Sequence, residues 1–144
     1  MKTMRLLYNI LLIFMFIAGS FIIGTHVAFG QDDVVVIVHS SKATLTKIQI
    51  KRIFSGDVRN WPGGGRVIVL LNSDSSITSR FCRKFLGISK NRLEELWVRK
   101  GIRDGVPPPR NISSDVQVTL VKTSPKFIGI VEKTDAGTGV RIID

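Results

Sequence analysis

Three short apolar runs rich in β-branched residues set the limits on what this chain can fold into. They are Val34-Val-Val-Ile-Val38, Arg66-Val-Ile-Val-Leu-Leu71 and Phe127-Ile-Gly-Ile-Val131. None alternates apolar with polar residues, so each reads as a strand covered on both faces rather than one face wetted by solvent. Between them lie segments of helical period. Thr46-Lys-Ile-Gln49 has the form of a capping box with Leu45 and Ile50 placed as a staple; Ile50, Ile53 and Phe54 then share one face before Gly56. Ile77, Phe81 and Phe85 line a second helix that stops at Gly87. Leu93, Leu96 and Trp97 line a third, capped near Ser89 and stopped at Gly101. Ser114-Asp-Val-Gln117 repeats the capping-box form and opens a helix that must end before Pro125. Asn60-Trp-Pro-Gly-Gly-Gly65 is a turn, residues 102–113 with Val106-Pro-Pro-Pro109 are an extended loop, and Val140-Arg-Ile-Ile143 is an edge strand. Strands alternating with helices predict an α/β domain, a mainly parallel sheet with flanking helices in three layers.

Ahead of the first strand, Lys2 and Arg5 precede the largely apolar Leu6 to Ile23, and Ala28 and Gly30 supply small residues at −3 and −1 of a cleavage site before Gln31. Residues 1–30 are therefore expected to be a secretory signal peptide, leaving residues 31–144 as one domain in the periplasm. An uncleaved anchor is the alternative, because ~18 apolar residues just span a bilayer; Asn9 and Gly19-Ser20 weaken it. No cysteine follows the apolar run, which excludes a lipoprotein anchor. The sole cysteine, Cys82, reads as a small apolar helix residue, with an intermolecular disulfide as the alternative.

The formal charge of +10 suits anionic partners. Nucleic acid is not expected among them: the basic residues are dispersed, and no aromatic side chains interleave them. Cys82 and His39 are the only soft ligands after the leader and no partner sits at ligand spacing, so no metal or other cofactor is expected. No nucleophile, base and orienting group assemble into an enzyme.

In open α/β sheets, ligands collect beyond the carboxyl ends of the strands, where helix N-termini present free N–H groups. Two polar clusters are expected there. His39-Ser40-Ser41 follows the first strand, with His39 and Ser41 as anion donors; Asn72-Ser-Asp-Ser-Ser-Ile-Thr78 follows the second and opens a helix. Hydroxyls, backbone donors and the helix dipole at one point make a small oxyanion site. The plain alternative is that these residues only cap the helix.

The segment Lys47-Ile-Gln-Ile-Lys-Arg-Ile-Phe-Ser-Gly-Asp-Val-Arg-Asn-Trp-Pro-Gly63, followed by Thr123-Ser-Pro-Lys-Phe-Ile-Gly-Ile-Val131, resembles the periplasmic phosphate-binding proteins of ABC transporters. In that family a short helix ends in Phe-x-Gly, an Asn-Trp turn leads into a strand, and a late helix delivers a Pro-x-x-Ile-Gly-Tyr-Val strand. The resemblance runs from about Val34 to Val131 and implies one lobe of a type II periplasmic binding protein, with the other lobe missing. The family's anion-contacting Arg-Ser-Asp-Gly-Ser-Gly-Thr places ligand contacts on Ser73, Asp74, Ser76 and Thr78. Asn72 stands where the family has arginine, and Ser75 and Ile77 where it has glycines; Arg80 or Arg83 would have to supply the missing charge. The resemblance implies an exported solute-binding module for phosphate or a small oxyanion, linked to an ABC permease or a membrane sensor, with a partner or a second copy closing the site as a dimer. The alternative is a protein-interaction module of the cell envelope that keeps the fold without the ligand.

Overall fold

The computed structural model describes residues 33–144, so the expected leader lies outside the described residues. Among the described residues, five strands, four α-helices and one π-helical turn follow in the order β1 (Val34–His39), α1 (Lys47–Phe54), β2 (Ile68–Asn72), α2 (Ser75–Phe81), the π turn (Cys82–Leu86), α3 (Lys90–Asp104), β3 (Arg110–Ile112), α4 (Ser114–Thr123), β4 (Phe127–Glu132) and β5 (Val140–Ile143). The sheet order is β3-β2-β4-β1-β5. β2 pairs in parallel with β3 and β4, whereas β1 is antiparallel to both β4 and β5. Four strands thus run one way and β1 alone runs against them, which makes the sheet mixed and mostly parallel.

The apolar run of β1 is buried along its length because helices cover both faces. Val34, Val36 and Val38, with Ile128 and Ile130 of β4, face α1, α2, the π turn and α3 through Ile50, Ile53, Phe54, Phe81, Phe85, Leu93 and Trp97. Val35, Ile37 and Val131 face the other way, onto Val118 and Val121 of α4. Side chains such as these contribute about 1.5–3 kcal/mol each when fully buried. Three phenyl rings knit α1 to α2: Phe54 and Phe81 stand 4.5 Å apart, Phe81 and Phe85 5.3 Å.

Local signals explain most boundaries. Thr46 and Gln49 form the reciprocal capping box of α1. At the other end of α1, Gly56 N–H donates to Ile53 O and Asp57 N–H to Arg52 O, a Schellman closure with Gly56 at φ 75°. Gly87, at φ 68°, ends the π turn.

Four expectations are corrected. Helix α3 does not stop at Gly101 but runs to Asp104 and ends on Gly105 at φ 64°. A Cβ on Gly101 would touch the Val106 carbonyl at 3.4 Å, so that glycine lets the following loop pass close to the helix. Within 102–113, Arg110–Ile112 form β3 rather than continuing the loop. The second strand begins at Ile68, because Arg66 bridges back to Asn60 across the glycine turn. Ser114 and Gln117 make no capping box: Ser113 holds the cap position, and Gln117 is fully buried.

Candidate functional site at the carboxyl end of strand β2

Strand β2 ends on Asn72, which is only 4% exposed. Its Oδ1 accepts from the Asp74 N–H at 2.9 Å, and its Nδ2 donates to Ser114 Oγ at 3.0 Å and to the Ile130 carbonyl at 3.1 Å. One side chain therefore ties the loop before α2 to the start of α4 and to β4. The Ser73 N–H donates to Ile112 O at 3.1 Å, fixing the end of β2 against the end of β3. The starts of α2 and α4 are consequently joined at one end of the sheet, with the positive ends of their dipoles turned to the same side.

Asp74 caps α2, its Oδ1 accepting from the Ser76 N–H at 2.7 Å. Hydrogen bonds from the Ser76 side chain and then its backbone N–H hold the Asp74 carboxyl below the usual carboxylate range. Ser73 and Ser76 are exposed. Thr78 is 2% exposed, and its hydroxyl donates to the Asn72 carbonyl at 3.0 Å, so it braces the loop from inside. Arg80, the nearer candidate for the missing cation, is paired with Glu132 at the end of β4. Arg83 lies on the exposed side of the π turn.

His39 and Ser41 do not join this cluster, which corrects the expectation of two clusters at one edge. Because β1 runs against β2 and β4, Val38 pairs with Ile128 at the start of β4, whereas Asn72 bonds to Ile130 further along it. His39 and Ser41 therefore lie towards the opposite edge of the sheet. There the His39 Nδ1 accepts from the Ser41 N–H at 3.1 Å and contacts Ser41 Oγ at 2.7 Å, a local loop closure. The geometry adds two groups not foreseen: Asn72 as the connector and Ser113-Ser114 as the second helix start. The Ser-Ser-Asp run opening α4 carried the signal and was legible only as a cap.

Among the solved structures that this chain matches, two are aligned over about half of their length. One is an ABC-type phosphate transport receptor from Vibrio cholerae, at TM-score 0.55 and 18% identity, over 78% of this chain and 46% of the receptor. The other is a putative phosphate ABC transporter substrate-binding protein with bound phosphate from Clostridium perfringens, at TM-score 0.57 and 22% identity, over 78% of this chain and 44% of that one. The chain thus spans under half the length of either, and shares with them the fold. No protein-family model and no curated protein matches the sequence. No helix among the described residues is long and apolar enough to cross a membrane.

Proposed function

We propose that this chain is an exported solute-binding module that takes phosphate or another small oxyanion at the paired starts of α2 and α4. The observation that carries the reading is the Asn72 bridge, which ties the starts of two helices together beyond parallel strands, with Ser73 exposed before α2 and Ser76 exposed in its first turn. The fold shared with two phosphate-transport receptors supports it. In this reading the Ser73 and Ser76 hydroxyls donate to the anion, the Ser76 hydroxyl turning from Asp74 to do so, while the Ser76 N–H stays on the Asp74 cap. The ionised Asp74 accepts a hydrogen bond from the O–H of hydrogen phosphate, which sulfate lacks, and so discriminates against sulfate. Asn72 and Thr78 shape the loop without touching ligand, and His39 and Ser41 play no part. An ABC permease or a membrane sensor is the partner, and a second copy or that partner covers the open side.

Calorimetric titration of purified residues 31–144 with phosphate, with sulfate as control, tests this. Saturable, phosphate-selective heat that is weakened in Ser76→Ala supports the reading; wild-type heat no larger than the sulfate control refutes autonomous binding.

A second reading, an envelope interaction module that keeps the fold without the anion, is favoured by one specific observation. Arg80, whose charge reaches Asp74, is itself ion-paired with Glu132. Its test is capture of a permease or sensor subunit on the immobilised protein, unaffected by Ser76→Ala.

A further inference from the structure

Strand β3 covers only part of β2. It pairs with Leu70, Leu71 and Asn72, and the residues before Arg110 are Pro107, Pro108 and Pro109, which have no N–H to extend the ladder. Ile68 and Val69 are left without a strand on that side, and Ile68 is 37% exposed. The gap is a cavity of about 490 Å³, within the size range of small-molecule sites. Its walls are apolar, formed among others by Ile68, Leu70, Trp97 and Phe127, while Arg59, Arg66 and Arg110 also line it. Among the described residues, none of these three arginines makes an ion pair within 4.0 Å; Asp104 is the acid that feels the charge of Arg59.

We infer that this cavity is a binding site for a small amphipathic anion, a carboxylate carrying an apolar tail or ring, with the apolar part against Ile68, Trp97 and Phe127 and the carboxylate on the arginine rim. An apolar wall beside several guanidinium groups is unlike the polar, donor-rich start of α2, and it offers inorganic phosphate nothing to replace its hydration on most sides. Guanidinium forks match a carboxylate in two-point geometry. The cavity lies beside the first residues of β2 and the oxyanion site beyond its last, so the two sites are separate and this inference does not rest on the other.

Titration calorimetry with monomeric decanoate, with decanol as the uncharged comparator, tests it on the purified protein. Decanoate is expected to bind saturably and at least tenfold tighter than decanol. Arg66→Glu/Arg110→Glu should weaken decanoate at least tenfold without lowering the melting temperature, and Arg66→Gln/Arg110→Gln should weaken it less. Absence of saturable decanoate binding overturns the inference, as do equal affinity for decanol and undiminished binding by both arginine variants. Flotation with phosphatidylglycerol vesicles by a protein that ignores monomeric decanoate also overturns it, because the arginines would then serve a bilayer surface.

Discussion

The side-chain amide of Gln117 occupies the space that a Cβ on Gly129 would fill, so the helix α4 residue reaches the sheet only because β4 has no side chain there. From that position its Nε2 donates to the carbonyls of Leu71 (3.0 Å) and Ile112 (2.8 Å), and its Oε1 accepts from the Ile130 N–H (2.8 Å). One buried amide thus pins β2, β3 and β4, the strands that carry the candidate site. Gln117→Leu keeps most of the volume but strips the Ile130 N–H of its acceptor and the Leu71 carbonyl of a donor, while the Ile112 carbonyl keeps the Ser73 N–H; a buried group left unpaired costs about 1–3 kcal/mol. Thermal melting should show a loss of at least about 1–3 kcal/mol, the cost of one orphaned group. Gly129→Ala should destabilise comparably by forcing the amide out, and the double variant should lose less than the sum of the two.

Trp97 and Gly56 form a second such pair. The indole N–H donates to the Phe54 carbonyl at 2.9 Å, and a Cβ on Gly56 would come within 2.8 Å of the ring. Gly56 also sits at φ 75°, where a side chain is strained. Gly56→Ala is expected to cost more than the ~1 kcal/mol of an unfavourable φ alone, because the rigid indole cannot swing aside. A denaturant melt of Gly56→Ala against Gly105→Ala separates the contributions, since nothing lies within 4 Å of a Cβ on Gly105.

Acid should act through the cap of α2. The folded-state pKa of Asp74 is depressed, chiefly by Ser76, so its contribution is fully present above the unfolded value of about 3.9 and is lost as pH falls through the folded value. The melting-temperature difference between wild type and Asp74→Asn should therefore be present at neutral pH and vanish well below that range. Asparagine caps helices about as well as aspartate, so the variant isolates the charge. A difference that persists at the acid extreme would remove Asp74 from the cause.

Cys82 is fully buried, and burial pushes its thiol up to about 11. Native protein at pH 8 should react with a thiol reagent orders of magnitude more slowly than protein in denaturant. It should also run as a monomer on a non-reducing gel. Fast native labelling would mean that the π turn opens.

Where apolar periodicity set the structure, the fold was legible: β1, β4 and the buried faces of α1 to α3 follow from residue type alone. Strand direction was not. Nothing local in Val34–Val38 distinguishes a strand parallel to β4 from one antiparallel to it, and that one unknown separated His39 and Ser41 from the cluster around Asn72. β3 escaped because Arg110-Asn-Ile112 is too short and polar to carry a period, and is a strand only because β2 offers it an edge. In the candidate site, the hydroxyl-rich start of α2 could be read from sequence. The inward turn of Thr78 and the bridge from Asn72 to Ser114 could not, because both depend on partners brought together by the sheet.

The lone reversed strand also orders assembly in time. Val34 pairs with Glu132 and Val38 with Ile128, while His39 pairs with Val140. β1 is thus made well before the two strands that flank it in the ladder, which lie far along the chain. Such long-range pairing slows folding. Until β4 and β5 arrive, β1 is an uncapped template for strand addition by another chain, so the nascent molecule depends on being kept apart from its neighbours until both flanking strands have been made.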